Sequence, residues 1–565
     1  MKNNAAIVIS GEAGQGLKII EDLMTDVLIK TGFYVFSTQE IMSRIRGGNN
    51  TVLLRISNTP VRAFCNKTNL LILLNSNAHK RLSSRIDKNT IILGDQSYVT
   101  NNLCPIAKTK LGLPLQEKTR EIGGTIYTNI IIFGILCKFF KVPRDIAINK
   151  LTMTFADKED IVLKKNIQAF EVGYELSKKH KLEFDIKPNK ATLNSTSIIN
   201  GTEAVSIGAL AAGCNFMASY PMSPATGVLT YMAGKAQEFG LIVEQAEDEI
   251  AAVNMALGAW YTGARAFVTT SGGGFALMQE GISLAGVTES PLVIHIGQRP
   301  GPGTGLPTRT EQGDLNLVLH AGHGEFPRAI FTPGNPEDAI LTTQMAFYIA
   351  DKYQIPTFIL TDQYLLNSNY NIISEDLEYT DKIQKNQFTK TDSDYKRYLL
   401  TSNGISPRGI PSYGTGFVKV DSDEHTEDGR ITEDFNIRIT MVNKRWQKLE
   451  QLQRESLRPE VFGSNTLDIV IIGWGSTCEI VKEALTCCSR KNITFIYCKQ
   501  IYPLHEEIKT KVKNAKKLIV IENNCRAQFG ALLTLETGRK FDDHILKYNG
   551  MPFSVEEVTE TLNKL

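Results

Sequence analysis

Residues 292–309 read LVIHIGQRPGPGTGLPTR. Leu292 to Ile296 is an apolar run with the length of a buried strand. It passes at once into a loop holding three prolines, four glycines, two threonines and the arginines Arg299 and Arg309. Such a loop is stiff, and two guanidinium groups on a stiff support suit bidentate capture of a carboxylate or phosphate. A structural turn with solvated arginines has the same composition, so the loop alone leaves both readings open. Outward from it the same alternation repeats. Short strand-like runs at Phe216–Tyr220, Ile242–Gln245, Ala266–Thr270, Ala329–Thr332 and Thr357–Thr361 are separated by Ala- and Gly-rich helical stretches. That spacing predicts a parallel sheet covered by helices on both faces.

The amino-terminal part has its own strand, turn and helix. Ala5–Ser10 is apolar, Gly11-Glu12-Ala13-Gly14-Gln15-Gly16 is a glycine turn, and Leu17–Lys30 carries apolar residues at helical spacing. Further strands are expected at Asn50–Ile56, Asn69–Leu74 and Thr90–Gly94, with amphipathic helices at Thr128–Phe140 and Asp157–Leu176. A last α/β unit starts at Asp468–Ile472, with later strands at Ile493–Cys498 and Leu518–Glu522. The expected division is an α/β domain over 1–185, a polar linker over 186–200, a second α/β domain over 201–370, an irregular excursion over 371–460 containing the helical VNKRWQKLEQLQRESL, and a final α/β domain over 461–565. The fold class is α/β and multidomain, with parallel sheets flanked by helices.

Composition narrows the function. The chain has 565 residues, 42% hydrophobic and 22% charged, with 62 basic against 60 acidic side chains. A net charge of +2 leaves no footprint for nucleic acid. No apolar run is long enough to span a membrane, and the short apolar start is no signal peptide, so a soluble cytoplasmic protein is expected, with neither a nucleic-acid nor a membrane partner. The nine cysteines are scattered and none is spaced C-x-x-C, which indicates neither a disulfide framework nor an iron–sulfur or zinc ligand set.

Several other stretches carry chemistry. The Gly11–Gly16 turn points backbone N–H groups at a helix start, where an anion is favoured, although it lacks a P-loop lysine and many such turns use glycine for geometry alone. Arg44, Arg46, Gly47 and Gly48 could add a second anion contact, or form a solvated basic loop. Ala218–Thr226 (ASYPMSPAT) follows a strand and places the Ser223 hydroxyl on the ligand side of a parallel sheet, or merely caps a turn. Glu244, Glu247, Asp248 and Glu249 precede an Ala-rich helix; three of the four are assigned to the helix dipole. The run Ser271-Gly272-Gly273-Gly274 ends a strand and permits close backbone approach to a ligand. His295, His320 and His323 have no metal-ligand spacing and read as core or surface histidines.

Together these stretches resemble the 2-oxoacid:ferredoxin oxidoreductases, over essentially the whole chain. GEAGQG with the later RIRGG is similar to the family's gamma domain. YPMSP, EQAEDEIAA, TTSGGG, GQRPGPGTGLPTRTEQGDL, GEFPR, and GISPRG followed by DEHTEDG are similar, in order, to its alpha subunit. A gamma part fused ahead of alpha resembles the 2-oxoglutarate synthase type. The resemblance implies a pyrimidine-binding thiamine-enzyme domain in the alpha part, a transketolase-C-terminal-like last domain and a separate α/β gamma domain.

It further implies a thiamine diphosphate enzyme that decarboxylates a 2-oxoacid, passes electrons to ferredoxin and forms an acyl-CoA, with CoA as co-substrate. Glu249 matches the family's glutamate against the aminopyrimidine ring, where a buried carboxyl with a raised pKa shares a proton with the cofactor. Cofactor contacts are implied at Tyr220, Glu249, Ser271 and Gly272. Substrate contacts are implied at Ser223, Arg299 and Thr308, with Arg309 for a distal carboxylate. The serine at 223 departs from the family's more usual threonine. Gly14, Gly16 and Arg46 are the candidate contacts for CoA or another anion. The sequence lacks Gly-Asp-Gly followed by Asn-Asn, and it lacks cluster cysteines. The resemblance therefore implies a separate beta subunit bearing Mg2+ and a [4Fe–4S] centre, in an (alpha–beta)2 particle. Pyruvate or branched-chain 2-oxoacids as substrates, and a non-catalytic scaffold with a degenerate site, are the alternatives.

Overall fold

The computed structural model describes residues 4–42, 48–100, 103–178, 184–189, 196–373, 377 and 388–565. The chain divides into two units. One comprises Met1–Ile199, Asn367–Leu377 and Ser554–Val558; the other comprises Asn200–Leu366, Glu378–Phe553 and Thr559–Leu565. Arg44, Arg46 and Gly47 of the expected anion loop lie outside the described residues.

The first unit runs β1 (Asn4–Glu12), α1 (Leu17–Lys30), β2 (Tyr34–Glu40), β3 (Asn49–Ser57), β4 (Leu70–Leu73), β5 (Ile91–Asp95), β6 (Thr109–Leu113), α2 (Leu115–Ile122), α3 (Thr128–Phe139), α4 (Arg144–Thr154), α5 (Asp160–Lys178) and β7 (Thr196–Asn200). Its sheet is mixed. β1, β4, β5 and β6 are parallel, whereas β3 pairs antiparallel with both β1 and β2. The alternation of β1 explains its place at the centre: Ile7 and Ile9 join the cluster formed with α1 and α3, and Val8 is equally buried on the opposite face. α3 is buried on nearly every side and packs between α1 and α5. Residues 196–200, expected in a linker, are the edge strand β7 of this sheet.

The second unit runs α6 (Gly201–Ala211), β8 (Phe216–Ser219), α7 (Thr226–Phe239), β9 (Ile242–Gln245), α8 (Glu249–Tyr261), β10 (Ala266–Thr270), α9 (Gly272–Leu277), α10 (Gln279–Val287), β11 (Leu292–Gln298), α11 (Leu315–Leu319), β12 (Ala329–Phe331), α12 (Pro336–Tyr353), β13 (Pro356–Asp362) and α13 (Gln363–Asn367). The chain then gives β14 (Ser368–Ile373), which belongs to the first unit and pairs antiparallel with β2 through Ser368–Thr38 and Tyr370–Phe36. It continues with α14 (Phe435–Arg454), β15 (Glu460–Gly463), β16 (Ile469–Trp474), α15 (Thr477–Cys487), β17 (Ile493–Cys498), β18 (Gln500–Tyr502), α16 (Glu506–Asn514), β19 (Lys517–Glu522), α17 (Gln528–Thr537), β20 (Asp543–Leu546) and α18 (Val555–Lys564).

The second unit has two sheets. The order β18-β12-β13-β11-β10-β8-β9 is parallel except for β18, and the order β15-β17-β16-β19-β20 is parallel except for β15. β10 and β11 are buried along their whole lengths, as central strands covered on both faces must be. The excursion is anchored through charge. Glu289, in the turn between α10 and β11, receives Lys444 Nζ at 2.7 Å and Lys448 Nζ at 2.5 Å from α14, with all three side chains 1% exposed. Arg397 donates to the Glu289 carbonyl at 2.7 Å. Among the described residues no single helix is long and apolar enough to cross a membrane.

Candidate functional site

β8, β9, β10 and β11 are parallel neighbours, so their carboxyl ends, and the loops that follow, open on one edge of the sheet. In sheets of this kind ligands bind beyond that edge. β9 ends at Gln245, and the chain enters α8 through Asp248, whose carboxylate accepts from the Ala251 N–H at 2.7 Å. That is an N-cap, and it fixes the next residue, Glu249, in the first turn. Glu249 is 3% exposed, and its Oε1 is buried with no hydrogen-bond partner. Burial raises its pKa, and the neighbouring Asp248 charge adds to the rise. Glu244 and Glu247 are exposed, so Glu249 stands apart from the other acids of that stretch.

The glycine run does not end β10 as a free loop. Ser271 occupies the N-cap position of α9, and Gly272 to Gly274 form the first turn of that helix. The Ser271 hydroxyl is buried, caps nothing and has no partner. A Cβ built on Gly274 would lie 2.7 Å from Glu249 Cδ and nearer still to its Oε1 and to Thr270 Oγ1. One built on Gly272 would lie 2.5 Å from Asp314 Cγ, while one on Gly273 would meet nothing within 4 Å. Two of the glycines thus make room for this protein's own carboxyl groups, and the middle one faces open space.

β11 delivers the arginine loop. Gln298 is fully buried. Its Nε2 donates to the Thr361 carbonyl at 3.0 Å, and its Oε1 accepts from the Asp314 N–H at 3.1 Å, closing the loop at its base. Arg299 Nη1 donates to the Ser223 carbonyl at 2.7 Å, which joins this loop to the turn between β8 and α7. Partial burial lowers the Arg299 pKa against the pull of Asp314. Burial pushes Asp314 up to about 6, opposed by Arg299. Glu311 is raised by burial and by Asp314.

The far end of the loop is clamped to the last sheet. Gln312 Nε2 donates to the Trp474 carbonyl at 2.9 Å, its Oε1 accepts from the Asn523 N–H at 2.9 Å, and Gln528 Nε2 holds the Gly313 carbonyl at 2.8 Å.

The expected site residues fall into two groups. Glu249, Ser271, Gly272, Arg299 and Ser223 share the sheet edge through the contacts above. Tyr220 is exposed beside Ser223, and Thr308 is half-buried in the loop. Arg309 turns to the last domain, with Nη1 3.7 Å from Met551 Sδ. His295 is a core residue, bonded at 2.7 Å to Thr269 Oγ1 and at 2.7 Å to Thr361 Oγ1, and burial lowers its pKa to about 3. In the first unit Gly14 and Gly16 have φ of 88° and 73°, a conformation that glycine adopts freely, and Gly16 starts α1 without a side-chain cap. The sequence reading missed Asp314, Gln298 and Gln312. The signal for Asp314 was present, an aspartate directly after a glycine and before the apolar helix LNLVL.

Aligned with the alpha subunit of the 2-oxoacid:ferredoxin oxidoreductase of a Sulfolobus species, the chain is 30% identical over 99% of its own length and 96% of that protein's. The chain belongs to the 2-oxoacid:ferredoxin oxidoreductase family. A family model for the thiamine diphosphate-binding part of pyruvate flavodoxin/ferredoxin oxidoreductase matches residues 207–444 of this oxidoreductase subunit, the segment that holds Glu249, Arg299 and Asp314. A second, for pyruvate ferredoxin/flavodoxin oxidoreductase, matches residues 6–176. The 2-oxoglutarate synthase subunit KorA of Methanocaldococcus jannaschii is 31% identical over 58% of this chain and 88% of its own length. The 2-oxoglutarate:ferredoxin oxidoreductase of Magnetococcus marinus, solved with 2-oxoglutarate, coenzyme A and succinyl-CoA bound, superposes with a TM-score of 0.93, 28% identity and full coverage of both chains.

Proposed function

We propose that this oxidoreductase subunit acts on 2-oxoglutarate in preference to pyruvate or branched-chain 2-oxoacids. The acid, CoA and oxidised ferredoxin give succinyl-CoA, CO2, reduced ferredoxin and a proton, with the electron pair leaving singly. The observation that carries the reading is the full-length likeness to the 2-oxoglutarate:ferredoxin oxidoreductase of Magnetococcus marinus; Glu249, a carboxyl with a buried, unpartnered Oε1 on the same sheet edge as Arg299, supports the enzyme class.

The residues present fit the aminopyrimidine end of thiamine diphosphate, because Glu249 Oε1 and the Ser271 hydroxyl are both buried without partners. When bound, that cofactor supplies the electron sink that a 2-oxoacid needs in order to lose CO2. Glu249 shares a proton with the cofactor, a task its raised pKa suits. Arg299, already oriented by the Ser223 carbonyl, binds the substrate's carboxylate with help from the Ser223 and Thr308 hydroxyls. A second basic group, Arg309 or one from a partner chain, meets the distal carboxylate.

We assign residues 1–185 as a gamma domain, whose Gly14, Gly16 and Arg46 contact CoA, residues 201–370 as the pyrimidine-binding domain and residues 461–565 as a transketolase-C-terminal-like domain. The cysteine pattern offers no cluster ligands. The family resemblance supports a beta subunit that supplies Mg2+, the diphosphate site and a [4Fe–4S] cluster that reduces ferredoxin, in an (alpha–beta)2 assembly in the cytoplasm. The test is kcat/KM for 2-oxoglutarate and for pyruvate on the enzyme purified with its beta chain. A larger value for 2-oxoglutarate is expected. A larger value for pyruvate overturns the substrate assignment while leaving the enzyme class intact.

A further inference from the structure

Asp314 is a carboxyl in this site to which the scheme above gives no task. It stands at the N-cap position of α11, where an aspartate ordinarily accepts from the helix's first N–H groups, yet its side chain makes no such bond. The carboxyl turns instead onto Gly272, into the space a Cβ there would fill, and its Oδ2 is buried without a hydrogen-bond partner. The backbone on either side is fixed by Gln298 at Asp314 itself and by Gln312 and Gln528 just before it. The charged groups facing it are Arg299 at the end of β11 and Glu311 on its own loop. From α9 the backbone of Gly272 lies against it, and α17 presents the neutral Gln528 to the residue before it.

Arg299 is thus the cation opposing Asp314 before any substrate arrives, while Glu311 adds a like charge beside Asp314, and the substrate brings another carboxylate. We propose that Asp314 takes up a proton when the 2-oxoacid binds and serves in the complex as a hydrogen-bond donor, not as the ion-pair partner of Arg299. This rests on the assignment of Arg299 to the substrate carboxylate. Once that carboxylate occupies the guanidinium, the influence that favours ionised Asp314 is spent, while its burial persists. Burial already pushes Asp314 up to about 6 in the free protein, so losing the opposition of Arg299 moves it further toward the protonated form. By linkage, affinity for the 2-oxoacid then falls by up to about tenfold per pH unit as pH rises above that value.

The experiment is calorimetric titration of 2-oxoglutarate into the alpha–beta enzyme stripped of thiamine diphosphate, in two buffers of different ionisation heat. It is paired with the pH profile of kcat/KM for the holoenzyme. Net proton uptake is expected near neutral pH in the unaltered enzyme, with the pH dependence of binding lost in Asp314→Asn, whose amide copies the neutral acid. Asp314→Ala should abolish uptake as well, so a folding defect in one variant does not decide the matter. Binding without proton uptake, or uptake that survives both substitutions, overturns the proposal. Arg299→Ala separates the underlying assignment: if that variant binds 2-oxoglutarate as tightly as the unaltered enzyme, the placement of the substrate carboxylate fails, whatever Asp314 does.

Discussion

Gly274→Ala sets two effects of opposite sign against each other. In a helix interior alanine is favoured over glycine by about 1 kcal/mol, so propensity alone would make the substitution neutral or stabilising. The added Cβ, however, would sit 2.7 Å from Glu249 Cδ. Nonbonded carbons rest at about 3.5–4.0 Å, so the carboxyl has to retreat by roughly 1 Å. It has little freedom to do so unchanged, because Asp248 caps the helix one residue earlier. Misplacing a reacting group by about 1 Å costs on the order of 10²-fold in rate, close to 2.7 kcal/mol of barrier.

The expected result is a kcat about 10²-fold lower, within the 10²- to 10⁴-fold range expected for Glu249→Gln, and a thermal midpoint within a few degrees of the unaltered protein. Steady-state ferredoxin reduction at saturating 2-oxoacid and thiamine diphosphate gives the rate, and calorimetric unfolding gives the stability. Gly273→Ala, whose Cβ meets nothing within 4 Å, is the matched control for helix propensity and is read by unfolding alone. Gly274→Ala turnover within about threefold of the unaltered enzyme would refute the reasoning, since a displaced Glu249 would then be doing its work undisturbed.

Arg299→Lys keeps the charge but loses the planar fork that the Ser223 carbonyl orients, so kcat/KM for the 2-oxoacid should fall by about an order of magnitude, and Arg299→Ala should lose more. Single-turnover decarboxylation without CoA checks the role, because a CoA anchor would leave that half-reaction untouched. Glu289→Gln should destabilise the protein by about 3–5 kcal/mol in denaturant unfolding, since it strands the buried Lys444 and Lys448 without a counter-charge. Burial pushes the Glu289 pKa up, but Lys448 and Lys444 override it and hold it below the ordinary carboxylate range. Its stabilising contribution is therefore full above the ordinary carboxylate range and is lost progressively as pH falls from that range through the depressed folded-state value, and the variant should lose that part of its acid sensitivity.

The elements readable in the sequence were those whose partners do not matter to their pattern. α1 over Leu17–Lys30, β9 over Ile242–Gln245 and β10 over Ala266–Thr270 fall where periodicity and turn residues put them. β14 and β7 are different. Ser368-Asn369-Tyr370-Asn371 is too polar to announce a buried strand, and it is buried because its polar groups are answered from far along the chain. Asn369 Nδ2 donates to Glu21 Oε1 at 3.0 Å, and Ser368 Oγ bonds Thr38 Oγ1 at 2.9 Å, partners more than 300 residues away. No local window holds that information.

The site divides along the same line. Glu249 and Arg299 were singled out by the family resemblance; their own neighbourhoods, four acids before an apolar helix and two arginines on a stiff loop, narrowed the choice without making it. The glycine run could be found too, but its meaning could not. Read locally, Gly272 and Gly274 make way for a ligand; in the fold they make way for Asp314 and Glu249. Absent side chains at 272 and 274 are what allow two acidic groups to lie beside one helix turn, with Arg299 near one of them. A site able to bind a carboxylate while holding two carboxyls of its own has to settle where its protons go, and that question becomes visible only when β11, β10, β8 and β9 are assembled in that order in one sheet.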